Sequence, residues 1–119
     1  MKGGSYVEIV QNSMTMTRGD TETITIKKTD KDNASVPFSE GDTVYFTVKK
    51  SIHDIDKTLQ KVVTSFTDGN ALIEISHNDT KDIVCGTYLY DVQLTDKNGV
   101  VTTLVKPSRF YIQGEITYE

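Results

Sequence analysis

The chain has 119 residues, of which 17 are acidic and 13 are basic, so its formal net charge is −4 at pH 7. This length suits one domain, and the charge argues against a nucleic-acid-binding protein, which needs a basic surface. A single cysteine, Cys85, excludes an intrachain disulfide, and a charged fraction of 25% is typical of globular rather than disordered chains.

The first residues carry no targeting signal. The apolar run in Tyr6–Val10 is short and is interrupted by Glu8, unlike the apolar region of a signal peptide. Uncharged stretches elsewhere fall well below the roughly 20 residues of a membrane-spanning helix. We therefore expect a single domain over residues 1–119, with residues 1–5 disordered, synthesis in a bacterial cytoplasm and no membrane partner.

Apolar and polar residues alternate with a period of two through most of the chain. In residues 21–28, Ile24 and Ile26 share one face while threonines occupy the other, as in a half-buried strand. The same pattern recurs in residues 43–50, 71–75 and 88–95. The 17 threonines fit this interpretation, because β-branched side chains favour strands.

Turn residues separate these segments. A first strand is expected somewhere in residues 6–17, and further strands at residues 62–66, 100–105 and 109–112. Pro107 is expected to break the chain between the last two of these strands. Asn98-Gly99 is a strong hairpin signal, because both residue types tolerate a positive φ. We assign structural roles in turns and strand entries to Gly19, Gly41, Gly86, Asn98 and Gly99.

Two segments have helical character. Residues 52–60 are either an amphipathic helix or a loop that ends in a strand, and residues 77–83 predict one helical turn. Seven to eight short strands at intervals of roughly 8–12 residues indicate an all-β fold, an immunoglobulin-like antiparallel β-sandwich.

No residue pattern indicates catalysis. His53, His77 and Cys85 lack the clustered spacing that zinc requires, so we predict no metal and no cofactor. The acidic loop at residues 30–33 lacks the glycine and glutamate positions of an EF-hand and is better interpreted as a solvated turn, although a looser calcium site stays open. Cys85 is interpreted as a small apolar side chain, and the protein as not an enzyme.

The aromatic residues leave two interpretations open. Tyr88 lies two residues after Gly86, at the entry of a long strand, which is typical of the tyrosine corner of β-sandwiches. Tyrosines could instead form a platform for a ligand such as a sugar, and the candidate binding surface is Tyr45, Tyr90, Tyr111 and Tyr118. Arg18-Gly19-Asp20 matches an integrin-binding tripeptide, but three residues are too few to be specific, and a turn explains them better.

The order of these motifs resembles a known family. Residues 16–21 open an Ile-x-Ile strand, residues 41–49 open the next long strand, and Gly86-x-Tyr88-x-Tyr90-Asp91-Val92 leads to Asn98-Gly99 and a final Phe110-x-Ile112 strand. This order resembles the N-terminal immunoglobulin-like domain of phage baseplate upper proteins and small prophage tail proteins of Gram-positive hosts.

The resemblance implies a non-catalytic virion structural module of the tail or baseplate. Its partners would be other phage structural proteins or further copies of itself, without nucleic acid, and it would mediate assembly of a receptor-binding apparatus. The alternative is an immunoglobulin-like carbohydrate-binding or adhesin-type module.

Overall fold

The computed structural model describes residues 13–117, which form seven strands and one helical turn. The elements, in chain order, are β1 (Met14–Thr17), β2 (Glu22–Ile26), β3 (Thr43–Lys49), β4 (Leu59–Val63), β5 (Ala71–Ile75), α1 (His77–Thr80), β6 (Gly86–Thr95) and β7 (Val101–Gln113). The fold is all-β, as the period-two pattern predicts. The expected disorder of residues 1–5 lies outside the described residues.

The strands form two sheets over the described residues. Five strands pair in the order β1-β7-β6-β3-β4, and β2 pairs with β5 in a separate two-stranded ribbon. The prediction of an entirely antiparallel sheet is wrong, because β1 runs parallel to β7 with Met14 opposite Phe110. Parallel neighbours need a long connection, and here that connection is nearly the whole chain.

One apolar cluster joins the inner faces of both sheets. The alternation in β3 is complete, with Val44, Phe46 and Val48 buried and the residues between them half-buried. The inward side chains of β2 and β5 join the same cluster. Most strand threonines lie outside it, so the threonine surplus does form the polar faces of the strands, as predicted.

Residues 52–60 form the loop that ends in a strand, and not a helix. β4 begins at Leu59 and ends at Val63, so the strand predicted at residues 62–66 is displaced towards the N-terminus. Phe66 lies beyond the strand and stacks on Phe38 with ring centroids 5.0 Å apart. The pattern misplaced the strand because Phe66 packs against the core from a loop.

Pro107 does not break the last strand. β7 continues through it to Gln113, which corrects the prediction of two separate strands. The register slips by one residue between Tyr90 and Val92, where two β7 residues, Lys106 and Pro107, lie opposite one residue of β6. A proline has no N–H to donate to a ladder, so a bulge is one of the few places in a strand that accepts it.

The helical turn α1 is stabilised by Asp79. Its carboxylate accepts a hydrogen bond from the Ser76 amide at 2.7 Å, as in a capping box, and pairs with the Lys61 ammonium on β4 at 2.8 Å. Partial burial opposes ionisation, but these two donors hold the pKa of Asp79 below its ordinary value. Asp79 thereby ties α1 to the edge of the five-stranded sheet.

Candidate functional site

The outward face of the five-stranded sheet forms a groove of about 490 Å³, which we call the outer groove. It runs along β3 and β6 and extends to neighbouring parts of β4, β7 and the β3–β4 loop. Its volume lies within the range of roughly 300–1,000 Å³ that is typical of small-ligand sites. The lining side chains used below are Tyr45, Lys49, Lys57, Gln60, Asp91 and Gln93.

Cross-strand pairing explains why these side chains meet. Tyr45 lies opposite Gln93 on β6 and Val62 on β4, while Thr47 lies opposite Asp91 and Gln60. Side chains that alternate along each strand therefore converge on one face from three neighbouring strands. The order of the strands, rather than any local motif, creates the groove.

Several polar groups of the outer groove are held in place by neighbours. The Gln60 amide nitrogen donates to the Thr47 hydroxyl at 3.0 Å, and the Gln93 amide nitrogen donates to the Thr103 hydroxyl at 3.5 Å. Lys49 Nζ donates to the Asp54 carbonyl at 2.9 Å. These bonds fix the direction of long side chains that otherwise lose rotamer freedom on binding.

Asp91 differs from these residues. No hydrogen bond to its carboxylate occurs within residues 13–117, and the nearby charge that acts on it is that of Lys49. Burial raises the pKa of Asp91, and the positive charge of Lys49 only partly offsets this. A half-buried acceptor without a donor is a group that a ligand can satisfy.

The four tyrosines of the predicted binding surface do not come together. Tyr45 is half-buried in the outer groove, but Tyr90 is only 5% exposed, and its ring packs against Phe46 and Phe110. Tyr90 is therefore a core residue, and its prediction as a platform is wrong, because its side chain belongs to the inward set of β6. Tyr118 lies outside the described residues.

Tyr111 is half-buried on β7, opposite Thr87, six residues along β6 from the partner of Tyr45. At roughly 3.3 Å per residue, this separates the two tyrosines by about 20 Å. Tyr45 and Tyr90 both border the outer groove, but Tyr45 is the one whose side chain belongs to the outward set.

Tyr88 enters the core at the start of β6, just after Gly86. Its side chain is 4% exposed, and its hydroxyl donates to the Val84 carbonyl at 2.5 Å, four residues upstream. Burial raises the pKa of Tyr88, with a smaller contribution from Cys85. The hydroxyl thus fixes the loop between α1 and β6 against the strand that follows it.

The Arg18–Asp20 segment is a turn tied to the rest of the structure. The Gly19 amide donates to the buried Thr80 hydroxyl at 2.8 Å, and His77 Nδ1 donates to the Gly19 carbonyl at 2.7 Å. Arg18 pairs with Glu115 at 3.0 Å, and a backbone amide together with this guanidinium holds the pKa of Glu115 below its usual value. The described partners of Arg18 and Gly19 thus lie within the domain, as a turn with a structural role requires.

Two other turns require the glycines that the sequence places there. Gly41 has a φ of +95°, and a Cβ at this position would lie 2.7 Å from the Cβ of Lys97. In the β6–β7 hairpin, Gly99 alone has a positive φ, of +83°. The Gly99 amide donates to the Asp96 carbonyl at 2.9 Å, and the Asn98 amide donates to the Asp96 carboxylate. The hairpin is a three-residue loop with its last residue left-handed.

The acidic loop after β2 is a local turn. The Asp30 carboxylate accepts hydrogen bonds from the amides of Asp32 and Ala34, at 2.8 and 3.0 Å. Nearby, the buried Lys28 ammonium lies 4.0 Å from the Asp42 carboxylate and 5.1 Å from the centre of the Phe38 ring. These charges satisfy one another and hold the loops between β2 and β3.

Within residues 13–117, no group of three or more His, Cys, Asp or Glu side chains is arranged to hold a metal ion. In the same part of the chain, no helix is both long and apolar enough to cross a membrane. No protein-family model matches the sequence, and a search of curated proteins finds no match.

The prediction from sequence missed most of the outer groove. Of its polar side chains, Lys49, Gln60, Asp91 and Gln93 were not among the candidates. The sequence feature that could have identified them is the outward position of each on an alternating strand, and many surface residues share that feature. Only the pairing of β3 with β4 and β6 distinguishes them.

Proposed function

We propose that the chain is a non-catalytic structural module of a phage or prophage tail or baseplate, which mediates the protein–protein assembly of a receptor-binding apparatus. The order of motifs along the sequence supports this proposal, because it resembles that of the N-terminal domain of phage baseplate upper proteins. The resemblance extends from the Ile-x-Ile strand, β2, to the final strand, β7. The proposed fold is an immunoglobulin-like sandwich.

Two features support that fold. The β2–β5 ribbon and the β3–β6–β7 pairing correspond to the B–E and C–F–G groups of immunoglobulin domains. The Tyr88 hydroxyl bonds upstream at the start of β6, as the tyrosine of the corner does at the start of strand F. The parallel β1 adds to the same sheet on the far side of β7.

The observation that carries the assembly function is the exposed edge at β4. Among the described residues, β4 has a strand neighbour on one side only, and it exposes 52% of Val62. The loop that leads into β4 exposes 59% of Ile52 and 92% of Ile55. An edge strand with apolar neighbours is a surface to which a partner can add a strand.

The test mixes the purified chain with the tail and baseplate proteins encoded beside its gene and measures complexes by mass photometry. We expect a complex with at least one of them, which Val62→Lys weakens. Val100→Lys is the matched control, because Val100 is 56% exposed but lies in the β6–β7 turn. A wild-type chain that associates with none of these proteins contradicts the proposal.

A further inference from the structure

The outer groove presents hydrogen-bond acceptors that the fold does not use. The Asp91 carboxylate has no hydrogen-bond donor within the described part of the chain. Gln60 and Gln93 donate through their amide nitrogens to threonine hydroxyls, which leaves their carbonyl oxygens as acceptors. Three acceptors from two strands therefore line one groove.

Donors accompany these acceptors. Lys49 gives one N–H to the Asp54 carbonyl, and an ammonium has three N–H groups, so two remain. Lys57 is exposed at the same end of the outer groove. The fitting ligand thus both donates and accepts hydrogen bonds.

Charges of both signs line the outer groove, namely Lys49, Lys57 and Asp91. A charged ligand is attracted by one sign and repelled by the other, so it gains little net Coulomb energy and still loses hydration. A neutral ligand with hydroxyl groups can form hydrogen bonds with both kinds of group without that loss.

Tyr45 supplies an apolar surface beside these polar groups. Its half-buried ring lies between Val62 and Gln93 on the neighbouring strands. A half-buried tyrosine offers large contact area at low entropic cost. A neutral molecule that has hydroxyl groups at its edge and an apolar face of C–H groups matches this arrangement, and a sugar ring is such a molecule.

We propose that the outer groove binds a neutral oligosaccharide, in which Tyr45 packs against one sugar ring while Asp91 and Gln93 accept hydrogen bonds from its hydroxyls. Lys49 donates to a sugar oxygen at the end of the groove. This function goes beyond assembly and uses the outward face of the sheet rather than the free edge of β4.

The experiment presents the full chain with soluble neutral polysaccharides (dextran, mannan, galactan, xylan and a mixed-linkage β-glucan) in affinity gel electrophoresis. Saturation-transfer NMR with the matching oligosaccharides then measures affinity. Hyaluronate and polylysine serve as the anionic and cationic probes. We expect retardation by at least one neutral polysaccharide and by neither charged polymer.

Two variants locate the site. Tyr45→Ala and Asp91→Asn should each lower affinity by about tenfold or more, because the first removes the ring that packs on the sugar and the second removes the charge of a hydrogen-bond acceptor. Tyr111→Ala is the matched control, a half-buried outward tyrosine about 20 Å away, and should bind like the wild type. Thermal unfolding of each variant separates lost binding from lost folding.

Three outcomes overturn the proposal. The first is a wild-type chain that binds no neutral sugar at concentrations up to about 10 mM, beyond the usual range of weak specific sites. The second is binding that folded Tyr45→Ala and Asp91→Asn retain in full. The third is binding to hyaluronate or polylysine alone, which would assign the groove to a charged partner.

Discussion

The hydroxyl of Tyr88 makes a measurable contribution to the stability of the fold. Tyr88→Phe keeps the buried ring and removes only the hydrogen bond to the Val84 carbonyl. Because no cavity larger than one oxygen forms, the expected loss is that of one hydrogen bond, about 1 kcal/mol in the free energy of unfolding. For a chain of this length, this corresponds to a fall in Tm of about 4 °C.

Urea denaturation at pH 7, followed by circular dichroism, measures this loss. Tyr111→Phe is the control, because it makes the same chemical change on a half-buried tyrosine whose hydroxyl has no hydrogen bond within residues 13–117. The control should stay within about 0.5 kcal/mol of the wild type. If the two variants are equally stable, the hydroxyl of Tyr88 does not fix the loop before β6, and the corner interpretation fails.

Further predictions concern two glycine turns, an acid and a buried phenol. Gly99→Ala should cost about 1 kcal/mol through its left-handed backbone, and Gly41→Ala about 1 kcal/mol more in urea unfolding, because its new methyl group also meets Lys97. Asp79→Asn should lower stability by about 1 kcal/mol at pH 7. Since the folded pKa of Asp79 is lowered, that difference should close as pH falls below 3.8, whereas a gap that persists at low pH would refute the role of its charge. Burial raises the pKa of Tyr90 from 10.0 to about 12, so the free energy of unfolding should fall as pH rises through this interval. The free energy of unfolding of Tyr90→Phe should fall less steeply with pH, and equal slopes for the variant and the wild type would contradict this.

The strands that can be predicted from the sequence are those with one buried face and one outward face. β3 and β5 have one buried and one outward face, so their residues carry a period of two that needs no partner to be read. The β6–β7 hairpin follows from turn residues that lie within five positions of one another. Local information suffices in these cases because the physical constraint is itself local.

Pairings between distant segments could not be predicted in this way. β1 lies beside β7 although almost the whole chain separates them, and nothing in Met14–Thr17 encodes a parallel neighbour. The outer groove has the same origin, since Tyr45 and Asp91 become neighbours only when β3 pairs with β6. Tyr90 was misassigned for a related reason, because a tyrosine suits both a surface platform and a core, and its place on the inward face decides between them.

β7 shows how a long-range irregularity can leave almost no trace in a sequence. Its register with β6 shifts twice, first at Leu104 and again at Pro107, and each shift adds one residue to β7. Each added residue reverses which side chains face inward, so two of them restore the original alternation. Thr102 and Phe110 therefore follow the same alternation, as though the strand were regular.

The visible remnants of the two shifts are the consecutive buried pair Leu104 and Val105 and the proline itself. A proline in a strand indicates either a strand end or a bulge. Across Pro107 itself the phase reverses, from the buried Val105 to the buried Phe110, as one added residue requires, and the earlier addition at Leu104 hides this reversal in the strand as a whole.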